Sequence, residues 1–188
     1  MRKVIAAFNM TLDGICDHTT GIPSEELHQH YSDLLNNAGV ILYGRKTYEL
    51  MQFWKTILQN PTGKKSMDDF AISIDKIPKL VFSNTLKETN WDSAKLSDRP
   101  LTEKVLELKQ QSGKDISVGS RSLIIQLLNS NLIDEFQICV YPIIEGSGLR
   151  LFEQIEHRIM LKPIKTKALN SGATIFYYEP TKEYTKSL

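Results

Sequence analysis

Two short turns carry the residue types that could do chemistry: Tyr43-Gly44-Arg45-Lys46-Thr47-Tyr48-Glu49 and Val118-Gly119-Ser120-Arg121-Ser122. Each follows an apolar run that reads as a buried strand, Gly39 to Tyr43 and Ile116 to Val118, and each opens a segment of helical periodicity. Strand, glycine turn and helix start together aim free backbone N–H groups and a positive dipole end at one point, which suits a phosphate. Arg45 and Thr47 stand beside the first glycine and add donors of their own. Two such turns in one chain predict a ligand with several phosphates.

The elements that must hold these turns alternate along the chain. Val4 to Phe8 reads as a strand, and Asn9 to Ser24 as a polar, turn-rich stretch. Ser24 reads as an N-cap with Glu25 and Glu26 in the first turn, favourable for the helix dipole. Leu27, Tyr31, Leu34, Leu35 and Ala38 then share one helical face, and Gly39 is expected to end that helix. Lys46 to Phe53 reads as helical, Trp54 to Ser66 as irregular, and Met67 to Ile74 as a short helix.

Lys79 to Ser83 is a further strand, bounded by Pro78 and Asn84. Leu101, Val105, Leu108 and Ser112 share a face on a helix closed by Gly113, and Asp115 to Val118 is again a strand. Arg121 to Asn129 is a helix apolar around most of its circumference, and Phe136 to Tyr141 is a strand. The last elements, about 158–169 and 174–178, are joined by the hairpin-type turn Asn170-Ser171-Gly172-Ala173. The expected fold class is α/β: one three-layer α/β/α domain over residues 1–180, its mixed sheet mostly parallel with a C-terminal antiparallel hairpin. Residues 181–188 read as a polar tail.

Bulk properties exclude several classes. The 188 residues fit one domain, and 41% hydrophobic with 24% charged content is ordinary for a soluble protein. Twenty-three basic against 22 acidic residues leave a net charge of +1, so no basic field argues for nucleic acid or an anionic membrane. Apolar runs fall far short of the ~20 residues that span a bilayer, and the few after Met1-Arg2-Lys3 are too short for a signal peptide. Cys16 and Cys139 lack CxxC spacing, which predicts reduced thiols in a cytoplasmic protein. His18, His30 and His157 show no ligand spacing, so no metal site is expected. Gly63-Lys64-Lys65-Ser66 lacks the earlier glycine and the GK[ST] order of a P-loop.

An ordered set of fragments makes the chain resemble the dihydrofolate reductase-like superfamily. The set runs from Asn9-Met10-Thr11-Leu12-Asp13-Gly14 through Leu42 to Glu49, Lys79 to Ser83, Val118-Gly119-Ser120 with Leu127-Leu128, and Leu132 to Glu135. It ends with Pro142-Ile143-Ile144-Glu145-Gly146-Ser147-Gly148 and Leu151-Phe152. The branch it is most similar to is the reductase half of the bacterial bifunctional riboflavin-biosynthesis deaminase/reductase, the RibD C-terminal domain. That resemblance implies an NADPH-dependent hydride transferase acting on a small molecule, as a homodimer. The substrate of that branch is 5-amino-6-(5-phosphoribosylamino)uracil. Gly44, Arg45, Lys46 and Thr47 would hold cofactor phosphates, and Ser83 and Asn84 the adenosine and its 2′-phosphate. Val118, Gly119, Ser120, Arg121 and Ser122 would cover the pyrophosphate, with Ala6 and Ala7 near the nicotinamide. No acidic residue follows a GxGxxG turn to claim a free ribose hydroxyl, which agrees with the phosphorylated cofactor.

The chain also departs from these relatives. His28 occupies about the position where dihydrofolate reductases carry the carboxylate that holds the pterin, and the usual Gly-Gly of the second turn is Gly119-Ser120. The zinc signature of the fused deaminase, H-x-E followed by P-C-x-x-C, does not occur. Asp13-Gly14 reads either as a tight turn or as a loop over the nicotinamide whose carboxylate meets the substrate. His28 reads either as a boundary histidine or as a proton or hydrogen-bond donor to the reduced group. Asp13 and His28 are thus the candidate catalytic residues, and Trp54, Glu145 and Gly146 join them as candidate substrate contacts. Two alternatives stay open: true dihydrofolate reductase activity, and a non-catalytic NADP-binding protein.

Overall fold

The computed structural model describes residues 1–181. The elements begin with β1 (Val4–Thr11), α1 (Glu25–Asn37), β2 (Ala38–Gly44), α2 (Arg45–Met51), α3 (Phe53–Gln59) and α4 (Lys65–Lys76). There follow β3 (Lys79–Phe82), β4 (Ala94–Leu96), α5 (Leu101–Gln110), β5 (Asp115–Val118) and α6 (Arg121–Asn129). The chain closes with β6 (Glu135–Tyr141), β7 (Met160–Ala168) and β8 (Thr174–Thr181). β8 therefore takes the first residue assigned to the polar tail, and residues 182–188 of that tail lie outside the described part.

One eight-stranded sheet runs in the order β4-β3-β2-β5-β1-β6-β8-β7. Neighbours from β4 to β6 are parallel, while β8 lies antiparallel to both β6 and β7. The α/β class and the closing antiparallel hairpin are as the sequence predicts. Right-handed crossovers decide where the helices go. Connections running toward β4 (β1 to β2, β2 to β3) put α1 and α4 on one face. Connections running back (β4 to β5, β5 to β6) put α5 and α6 on the other.

The two cores follow from strand alternation. Val4, Ala6, Leu42, Ile116 and Val118 pack against Leu101, Val105, Ile124 and Leu127 of α5 and α6. Ile41, Tyr43 and Val81 face the opposite way, against Leu35 of α1 and Phe70 and Ile74 of α4. Further along that face Cys139, Tyr141, Ile175 and Tyr177 meet Leu27 of α1.

Several expectations are corrected. α1 ends at Asn37 with the extended Ala38 as its C-cap, directly before Gly39, which lies in β2 as the strand reading has it; what differs is why a glycine stands there. A Cβ at Gly39 would lie 2.9 Å from the Arg2 guanidinium and 3.2 Å from the Lys114 carbonyl, so close packing is what asks for glycine there. Residues 54–66 are not irregular throughout, because Gln52 keeps helical angles and α3 continues to Gln59. Trp54 is a modest helix former, and its packing against Phe70 of α4 overrides that propensity. β1 runs to Thr11 rather than Phe8, since Asn9 and Thr11 pair with Cys139 and Tyr141 on β6. β4 is three residues long and has no apolar run to announce it. Ser24 caps α1 as expected, its hydroxyl accepting from the Leu27 N–H at 3.2 Å.

Candidate functional site

The two glycine turns come out side by side. β2 and β5 are parallel neighbours with Ile41 opposite Ser117 and Leu42 opposite Val118, so in this register Gly44, the end of β2, falls level with Ser120, two residues past the end of β5. Gly44 and Ser120 are then the N-caps of α2 and α6, and neither helix has a side-chain cap. The first-turn N–H groups of both helices are left for an outside acceptor. The Gly44 N–H donates to the Ser120 hydroxyl at 2.9 Å, joining the turns directly. Added Cβ atoms would lie 3.1 Å from the Tyr43 ring at Gly119 and 3.2 Å from the Ser122 hydroxyl at Gly44. A side chain at either glycine would therefore crowd the other turn and make its neighbour shift by a few tenths of an ångström.

The side chains around the turns differ in availability. Arg45 and Lys46 are exposed; Arg45 reaches Glu49 at 3.3 Å, an exposed pair one helical turn apart. Thr47 is half-buried. Gly44 pairs with Phe82, so Ser83 and Asn84 emerge beside Arg45. The Ser83 hydroxyl accepts from the N–H groups of Thr85 (3.2 Å) and Leu86 (2.9 Å) and so holds its own turn, while Asn84 is exposed. The Arg121 guanidinium donates to the Arg150 carbonyl at 2.5 Å and pairs with Glu153 at 3.1 Å. It acts as a strut from α6 to the segment after β6. Ser122 is exposed and Val118 buried. Ala6 and Ala7 are both buried, with Ala6 opposite Val118, the last residue of β5. Ala7 is thus level with Gly119, and β1 continues past the turn as a wall.

The residues expected on the substrate side fall into two groups. His28 and Trp54 meet edge to face with ring centres 5.7 Å apart, and Phe70 stacks on His28 at 6.0 Å and crosses Trp54 at 4.5 Å. Burial in this aromatic setting lowers the His28 pKa, which keeps its ring neutral. Asp13, Glu145 and Gly146 form the second group. The Asp13 carboxylate accepts from the Thr11 hydroxyl at 2.6 Å, the Gly146 N–H at 2.8 Å and the Glu145 N–H at 3.2 Å. The Thr11 bond first, then the Gly146 bond, hold its pKa down to about 2. The carboxylate is thus an acceptor that fastens two loops.

Sequence reasoning missed two members of this neighbourhood and one contact between residues it did name. Phe70 lies within the short helix read over Met67 to Ile74, with nothing to mark it as a site residue. Asp17 accepts from the Leu149 N–H at 2.9 Å and doubles the Asp13 fastening, with no motif to mark it. Tyr31 donates to the Asn9 side chain at 2.5 Å, tying α1 to β1. Tyr31 was visible as a face residue and Asn9 as the first residue of a family fragment, but nothing local pairs the two.

The mostly parallel sheet of this order, with its antiparallel C-terminal hairpin, is the dihydrofolate reductase-like fold. The chain superposes on the dihydrofolate reductase of Enterococcus faecalis complexed with NADP(H), with a TM-score of 0.62 at 12% identity, covering 96% of this chain and 97% of that one. It belongs to the RibD C-terminal domain family, whose match extends over residues 2–175. The uncharacterized protein YyaP of Bacillus subtilis (strain 168) is 32% identical over 181 residues, 94% of each chain. The Thermotoga maritima diaminohydroxyphosphoribosylaminopyrimidine deaminase/5-amino-6-(5-phosphoribosylamino)uracil reductase shares the fold, with a TM-score of 0.63 at 16% identity. That likeness covers 96% of this chain but 57% of the Thermotoga protein.

Proposed function

We propose that this chain is an NADPH-dependent reductase of the riboflavin-biosynthesis type, working on a small polar substrate. The observation that carries the reading is the pair of uncapped helix starts set side by side after β2 and β5. Family membership supports the reductase class, and Arg45 and Lys46 support the phosphorylated form of the cofactor.

A bound nicotinamide would supply a hydride for a C=N or carbonyl carbon, with the proton for the nitrogen or oxygen drawn from solvent. The chain's own part is placement. Backbone N–H groups after Gly44 and Gly119 take phosphate oxygens, Arg45, Ser83 and Asn84 face the 2′-phosphate, and Ala7 leaves room beside β1. The neutral His28 ring, held by Trp54 and Phe70, meets the substrate as a hydrogen-bonding partner. The Asp13 fastening keeps the loop after β1 against Glu145 and Gly146. The first substrate to test is 5-amino-6-(5-phosphoribosylamino)uracil. A carboxylate for a pterin is lacking at His28, which favours this reading over dihydrofolate reduction.

The same reading has the protein cytoplasmic and homodimeric. The exposed edge strand β7, with Leu161 and Ile164 at the surface, supports the dimer. Calorimetric titration with NADPH and NADH tests the core of the reading. Micromolar NADPH binding, at least tenfold (about 1.4 kcal/mol) tighter than NADH, followed by turnover of the uracil substrate, is the expected result. Binding of neither nucleotide would sink it, and binding without turnover on any carbonyl or imine substrate would leave a nucleotide-binding protein instead.

A further inference from the structure

We propose that Ser120 is a positioning residue that presets the spacing of the two phosphate turns before the cofactor arrives; this rests on the NADPH reading above. A serine at an N-cap ordinarily turns its hydroxyl back onto the N–H groups of its own helix. Ser120 does not: α6 has no side-chain cap, and the hydroxyl instead accepts the Gly44 N–H, 76 residues away in sequence. Ser120 is 1% exposed and Gly44 is buried, so without this bond a buried donor would stand unpaired.

The diversion has two consequences at once. It leaves the first-turn N–H groups of α6 open, and it ties the entrance of α2 to the entrance of α6. The glycines finish the fit, because a side chain at Gly119 would press on Tyr43 and one at Gly44 on Ser122. A dinucleotide whose phosphates touch both turns then finds them already at the right separation, and the ordering penalty of binding is reduced. Ser120 needs no contact with the ligand for this effect.

The test compares Ser120→Ala and Ser120→Thr with the wild-type chain. Hydrogen exchange of the Gly44 amide is read in the ligand-free protein, and calorimetry gives the affinities for NADPH and for 2′,5′-ADP, the adenosine half alone. In Ser120→Ala, Gly44 exchange is expected to accelerate at least tenfold and NADPH affinity to fall about tenfold. The 2′,5′-ADP affinity stays within twofold, because that fragment does not depend on the spacing of both turns. Ser120→Thr keeps the hydroxyl and restores both readouts. Unchanged Gly44 exchange and NADPH affinity in Ser120→Ala would overturn the inference. So would an equal loss for NADPH and 2′,5′-ADP, the mark of general loosening. If the wild-type chain binds no NADPH, the reductase reading and the cofactor role of Ser120 fall together. Wild-type binding with an unaffected Ser120→Ala removes this inference alone.

Discussion

The Asp13 carboxylate holds the Gly146 N–H at 2.8 Å across 133 residues of sequence, fastening the loop after β1 to the loop after β6. Nearby, Arg150 donates to the Asp13 carbonyl at 3.3 Å, and Arg121 donates in turn to the Arg150 carbonyl. A continuous set of contacts therefore runs from the second glycine turn to the loop that bears Asp13. The positions expected to hold cofactor and substrate are mechanically joined.

Asp13→Asn removes the charge and half of the acceptor capacity. Exchange of the amides of Glu145 and Gly146 is expected to rise, with kcat/KM falling tenfold or more and NADPH affinity within twofold of wild type. The fastening also has a pH window. The folded carboxylate titrates at about 2 against an ordinary 3.8, so its contribution is complete above the ordinary value and disappears as pH falls toward 2. Amide exchange at Gly146 that is already fast at pH 5 would refute this.

Arg45 and Glu49 form an exposed pair one helical turn apart, an arrangement worth little in water. A 2′-phosphate can draw Arg45 from Glu49 at small cost and gain a charge-assisted, two-pronged contact. Arg45→Ala should weaken NADPH binding about tenfold, or about 1.4 kcal/mol, and leave NADH unchanged. Equal losses for both nucleotides would place Arg45 on the pyrophosphate instead.

His28→Phe separates chemistry from packing. Phenylalanine keeps the stack on Phe70 and the edge contact with Trp54 but loses both ring nitrogens. A polar role predicts that kcat/KM drops at least tenfold while melting temperature and NADPH affinity hold. Turnover at the wild-type level would return His28 to the aromatic core.

The legible parts of this chain are those whose cause is local. The glycine turns, the Ser24 cap and the α6 span follow from residues a few positions apart, and the structure places them as read. Gly39 shows the limit: a glycine after a helix suggests a stop, whereas here the pressure comes from Arg2 and Lys114, distant in sequence. α3 was hidden because its helicity depends on α4 packing against Trp54. The Ser120 bond was hidden for the same reason, since nothing near Ser120 shows that the Gly44 N–H lies within reach. Asp13 was visible as a carboxylate in a loop, but its bonds to Glu145 and Gly146 require two loops to meet.

His30 is expected to weaken the fold in acid. It is buried beside β8 with Nδ1 3.3 Å from the Tyr177 hydroxyl, and its Nε2 has no partner. Burial first, then the charge of Lys167, push its pKa down to about 4 from 6.5; Lys165 acts in the same direction and Asp33 against it. The unfolded chain therefore binds a proton between pH 6.5 and 4 that the folded chain does not. Stability is unaffected by this group above pH 6.5 and declines as pH falls toward 4, by up to about 3 kcal/mol. His30→Phe cannot titrate, and its ring suits the contacts with Tyr31 and Tyr177. Denaturant melts from pH 7 to 4 should show a steep acid limb in the wild-type chain and a shallower one in His30→Phe. Parallel curves would assign the acid limb to other groups.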